Sequence, residues 1–105
     1  MSQQVAKFSV GQVIQHNLFD YRGVIVDVDP IYQRDDAWYE RMARTRPPKN
    51  QPWYQILVHD SEGETYVAER NLILDISSQP VENPRLGNYF RSFSQGRYLP
   101  RLVIH

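Results

Sequence analysis

Gly23-Val24-Ile25-Val26-Asp27-Val28-Asp29 is the stretch from which the rest of the chain can be read. Its side chains alternate: Val24, Val26 and Val28 on one face, Ile25, Asp27 and Asp29 on the other, which is the period of a strand. β-Branched residues suit a pleated surface, and Pro30, with no N–H for a ladder, ends the run. Upstream, Phe8 to His16 alternates more weakly, with Gly11 as a bend or bulge. Asn17 to Gly23 is then a loop carrying Phe19 and Tyr21. Downstream, Trp53 to Asp60 is a second strong strand. Ser61-Glu62-Gly63-Glu64 turns it, and Thr65 to Ala68 returns antiparallel. After a brief turn at Glu69-Arg70-Asn71, Leu72 to Leu74 is a fifth short strand.

Between the strong strands, Arg34 to Arg44 has the spacing of a short helix with Trp38, Tyr39 and Met42 on its apolar side, stopped by Pro47-Pro48. Asn83-Pro84 is a helix start, since Asn caps free N–H groups and Pro suits the first turn. Leu86, Tyr89, Phe90 and Phe93 follow at spacings of three and four, predicting one helical stripe that ends at Gly96. Tyr98 to Ile104 is expected as an edge strand. About five short strands joined by turns, with no room for crossover helices, predict a mainly-β fold. The expected form is a small SH3-like antiparallel barrel with a short C-terminal helix.

The 105 residues are the length of one domain, expected to span 1–105. Thirteen aromatic side chains and 41 % apolar content argue against disorder. Twelve basic and twelve acidic groups leave no global field to draw in nucleic acid or anionic membrane. Charge is nonetheless segregated. Arg85, Arg91, Arg97 and Arg101 stand in 83–105 without any acid, which suits a local basic patch or a tail docked on an acidic body. With no cysteine, disulfides and thiol chemistry are excluded. No basic start leads into an apolar run, and no stretch nears the ~20 apolar residues of a membrane span. A soluble, cytoplasmic protein is expected.

No nucleophile elbow, phosphate loop or metalloprotease helix is present, so no enzymatic activity and no cofactor are expected. His16, His59 and the terminal His105 with Asp27, Asp29 or Asp60 have the residue types of a metal site, but their spacing does not require one. Rings beside loops are better pointers. Tyr21-Arg22-Gly23 and Gln51-Pro52-Trp53-Tyr54, with Tyr32 and Trp38, can stack on bases, cage a cation or grip an extended peptide. In a barrel this small the same rings are also needed as core. Arg91, Arg97 and Arg101 are the candidate phosphate contacts.

Phe8–Pro30 (FSVGQVIQHNLFDYRGVIVDVDP), Gln51–Val58 (QPWYQILV), Thr65–Leu72 (TYVAERNL) and Gly96–Arg101 (GRYLPR) resemble the YccV-like family of HspQ-type heat-shock proteins, also called the hemimethylated-DNA-binding domain. The resemblance implies an SH3-like barrel, a cytoplasmic stress-response role and no catalysis. It further implies partners of two kinds: a Lon-type ATP-dependent protease with its specific or denatured clients, and hemimethylated DNA. No binding residues come with it. The expected contact surface is Tyr21, Arg22, Tyr32, Trp38, Trp53 and the tail helix for proteins. For DNA it is the C-terminal arginines with Arg41, Arg44, Arg46 and Lys49. Self-association through a free edge strand is expected as well.

Overall fold

In the computed structural model, which describes residues 5–101, the chain runs through β1 (Val13–His16), β2 (Arg22–Asp29), α1 (Asp36–Met42), β3 (Trp53–Val58) and β4 (Glu64–Ala68). A 3-10 turn at Glu69–Asn71 leads to β5 (Leu72–Leu74), one turn of helix α2 (Leu86–Tyr89), β6 (Phe90–Ser94) and β7 (Arg97–Pro100). The first five strands form one antiparallel sheet in the order β4-β3-β2-β1-β5, and β6 and β7 form a second, two-stranded sheet. The mainly-β expectation holds. Among the described residues no ladder joins β4 to β5.

The alternation read in β2 is broken midway. Ile25 pairs with Ile56, but the next register pair is Asp27 with Gln55, so Val26 is a bulge residue. One extra residue flips everything after it, so Val28 lies with Ile25 and not with Val24 as the spacing predicts. Ile14, Ile25, Tyr54, Ile56, Val67 and Leu72 therefore share one core, against which Val28 and the segment at Phe8 and Val10 pack. Residues such as Ile14 and Ile56 are wholly buried, each worth about 2 kcal/mol of transfer free energy.

The other face of the sheet is covered at two separate places. Over Val13, Val24 and Leu57 lie Val81, Phe90 and Tyr98. Over Trp53, Tyr66 and Ala68 lie Tyr39 and Ala43 from α1 and the loop after it. Gly11 locks the first cover. Its φ of +95° suits glycine, and a β-carbon there would overlap the Tyr98 carbonyl. Gly11 oxygen instead accepts from Tyr98 N at 2.9 Å.

The predicted C-terminal stripe resolves differently. Only Leu86–Tyr89 is helical; Phe90 and Phe93 belong to β6. A register shift between Phe90 and Ser92 inserts one extra residue, so positions three apart share a face just as they would on a helix. The true turn is Gln95-Gly96, both at positive φ (52° and 78°), the conformation a two-residue hairpin requires. Asn83 does not cap α2, which begins three residues later with Arg85 before it; Asn83 Oδ1 accepts from Arg85 N at 2.9 Å within the preceding turn. Its Nδ2 also donates to Val58 and Gly63 carbonyls, tying the segment before α2 to the β3–β4 turn. Arg97–Pro100 is a strand as expected, while Leu102 to Ile104 lie outside the described residues.

Candidate functional site

β3 bonds to β4 through Val58 N to Gly63 O and, at the far end, Pro52 O from Glu69 N. Alternation then turns the N–H and C=O of Tyr66 away from β3, off the open edge of the sheet. A groove of about 180 Å³ straddles that edge. Trp53, Tyr66 and Ala68 form its floor. Met42 to Thr45 make one wall; His16, Phe19 and Tyr21 make the other.

The α1 wall is built by capping and by ring packing. Asp35 starts the helix, its carboxylate accepting from Trp38 N at 2.7 Å. Tyr39 and Ala43, one turn apart, point into the core, and Trp38 and Met42, also one turn apart, point to the groove. Trp53 and Tyr66 stack with centroids 5.3 Å apart, and Tyr32 meets Trp53 edge-on at 5.0 Å. The helix ends at Met42, before the prolines expected to stop it, and those prolines accept hydrogen bonds instead: Tyr39 OH donates to Pro47 O at 2.7 Å and Trp53 Nε1 to Pro48 O at 3.1 Å. Tyr66 OH donates to Asp29 at 2.7 Å and accepts from Gln33 N. Burial, then this carboxylate, pushes its pKa far up, so it stays a neutral donor.

The opposite wall hangs on His16. This residue is 5 % exposed, and its Nδ1 accepts from the backbone N–H of both Leu18 and Phe19 at 3.1 Å. Its ring stacks on Phe19 at 4.6 Å and tilts against Tyr21 at 5.2 Å. Burial lowers its pKa below the usual 6.5. A proton on Nδ1 would remove the acceptor that shapes the loop. The folded value lies below the unfolded one, so this contribution to stability is complete above pH 6.5 and is lost as pH falls through the folded value. Thermal midpoints measured from pH 7.5 downward should therefore drop below 6.5, and His16→Gln should flatten that drop. Equal slopes for both proteins would refute the role.

The residues expected at a contact surface divide. Tyr21 and Trp38 are half-buried on opposite walls of the groove, and Tyr32 packs behind Trp38 at 6.1 Å. Trp53 is a correction: at 1 % exposure it offers no free ring and serves as floor. Arg22 is another. Its guanidinium bonds Asp75 at 3.0 Å and the carbonyls of Gln79 and Pro80, so it fastens a loop and is not free for a ligand. Arg91, Arg97 and Arg101 sit on or beside the β6–β7 hairpin, which covers a different part of the sheet from α1. Arg97 bonds Ser9 and Val10, and Arg101 bonds the Gly87 carbonyl at 2.7 Å. His59 Nδ1 accepts from Glu82 N, its Nε2 is 3.3 Å from Asp60, and His16 is committed to its own loop. Among the described residues no group of three or more His, Asp or Glu is arranged to hold a metal, and no helix is long and apolar enough to cross a membrane. His105 lies outside those residues.

Two exposed apolar residues at the groove, Phe19 and Met42, 65 % and 56 % exposed, were not singled out from sequence as contacts. The signal for Met42 was present. Trp38, Tyr39 and Met42 make an apolar side wider than one sheet contact covers, and the surplus faces outward. Compared with known families, residues 6–97 match the model described as hemimethylated DNA-binding protein YccV-like, and the chain belongs to that family.

Proposed function

We propose that the protein is a binding module without chemistry of its own, a cytoplasmic adaptor that delivers specific or denatured proteins to a Lon-type ATP-dependent protease. The observation that carries this reading is the groove at the β4 edge, flanked by the solvent-exposed Phe19 and Met42. Exposed apolar side chains beside a concave apolar surface are what protein contacts use. The balanced charge of the chain agrees, since such contacts need apolar burial and not counterion release. Purified protein should accelerate degradation of a client by the protease, with saturation as the adaptor is raised. Unchanged rates across several clients at saturating adaptor would refute the reading.

The description of the family favours a second reading, recognition of hemimethylated DNA. Phosphate anchoring would fall to Arg41, Arg44, Arg46 and Lys49 or to the hairpin arginines. Two of the first group are already engaged: Arg46 pairs with Glu40 at 2.9 Å and Lys49 with Asp36 at 3.1 Å. Binding through about six phosphates should weaken about a thousandfold between ~50 and ~200 mM salt. Titration of hemimethylated and unmethylated duplexes at both salts tests this. Equal, negligible binding would remove it.

A further inference from the structure

We propose that the groove at the β4 edge holds an extended peptide segment in which an apolar side chain is flanked by carboxylates, laid along β4 as an added strand. The inference rests on the adaptor reading and names the chemistry of what is gripped. Three observations carry it. The first is the backbone: Tyr66 turns its N–H and C=O outward from an edge strand, the pairing an incoming strand needs. The second is size. At about 180 Å³ the groove is smaller than the ~300–1,000 Å³ of sites for whole small molecules, and fits one side chain. Its floor of Trp53 and Ala68 and its Phe19 and Met42 walls select an apolar one.

The third observation is charge. Among the described residues no acid lines the groove, and Arg44 on its wall is exposed. Arg70 bonds the Thr45 carbonyl beside it. Arg34 lies 4.4 Å over the Tyr66 ring, in a hollow that shares Trp38, Met42 and Tyr66 with the groove. Among the described residues neither Arg34 nor Arg44 makes an ion pair. Of the nearby acids, Glu64, which lines that hollow, is already 3.4 Å from Arg85, and Asp29 accepts from the Tyr66 hydroxyl. The rim is thus cationic, complementary to a carboxylate on either side of the anchor. A bare apolar groove would accept any exposed chain; this rim prefers acidic ones.

The test uses the full chain and a labelled short acidic peptide with one central leucine. Its controls are the same peptide with glycine for leucine, and with amides for its carboxylates. Fluorescence anisotropy should show about tenfold or greater weakening for the glycine peptide, and about fivefold for the amide peptide at low salt. Met42→Glu and Arg44→Glu alter exposed positions, so both should fold, as circular dichroism would verify, and both should weaken the leucine peptide. Leucine and glycine peptides binding alike would overturn the proposal, as would binding indifferent to both substitutions. So would displacement of the peptide by hemimethylated duplex with no effect of unlabelled acidic peptide. Degradation assays separate the two readings. Client turnover accelerated equally by wild type and Met42→Glu would sink the groove and leave the adaptor. Peptide binding without any acceleration would sink the adaptor.

Discussion

Arg22→Ala should lower the thermal midpoint by more than about 10 °C without touching any surface the groove uses. Asp75 is the reason. Its side chain is 1 % exposed, and it accepts from Arg22 at 3.0 Å, Gln15 at 2.9 Å and Ser77 at 2.6 Å. Burial alone would raise the Asp75 pKa; the bonds from Ser77, Arg22 and Gln15 outweigh it and hold the carboxyl below its usual value. Removing the arginine leaves a buried carboxylate with no cation, which costs about 3–5 kcal/mol in comparable pairs. In a domain of this size each kcal/mol moves the midpoint by about 4–8 °C. The loss also frees the Gln79 and Pro80 carbonyls, just before Val81 enters the core and meets the Tyr98 hydroxyl at 2.8 Å. Arg22→Lys keeps the charge but not the fork and should recover part of the loss. Because the Asp75 pKa is depressed, its contribution is present above the usual 3.8 and disappears as pH falls through the folded value. The gap between wild type and Asp75→Asn should therefore close in acid. A gap that stays open at low pH would show that charge is not what the pair supplies.

That Arg22 was expected at a contact surface shows where sequence reasoning stops. Tyr21-Arg22-Gly23 beside a loop reads the same whether the arginine meets a ligand or a carboxylate 53 positions away. Nothing local names Asp75. β2, β3 and β4 were legible because period-two alternation of β-branched and aromatic residues is a property of the strand itself. The bulge at Val26 was not, since it exists only as a mismatch with β3. The same blindness produced the helix over Phe90 and Phe93. A bulged strand and a helix both bring residues three apart to one face, and only the positive-φ pair at Gln95-Gly96 distinguishes them. In the site, the rings were legible as a class and their division was not. Trp38 and Trp53 are the same residue near loops, yet one lines a wall and the other lies under it.

Trp53 therefore gives the other large effect, and it separates floor from contact. The ring is packed on Tyr32, Trp38, Tyr39 and Tyr66 with centroids 5.0–6.3 Å away, and its Nε1 donates to Pro48 O. Trp53→Ala empties the centre of that cluster and should cost about 3–5 kcal/mol, the range for deleting a buried aromatic. The loss should register as a lower urea midpoint and a collapse of the near-ultraviolet dichroism from the stacked rings. Trp53→Phe is the discriminating change. It keeps a ring on Tyr66 but drops the bond to Pro48, a loss of about 1 kcal/mol plus the missing volume. If Trp53 only supports the groove, the phenylalanine protein should be less stable yet bind an acidic, leucine-bearing peptide within about twofold of wild type, since it exposes almost none of its surface. Substituting the exposed Met42 should do the reverse, sparing stability and losing the peptide. A phenylalanine variant that keeps its stability but no longer binds would mean that Trp53 swings outward to meet its partner, and that the packed cluster is a closed state of the site.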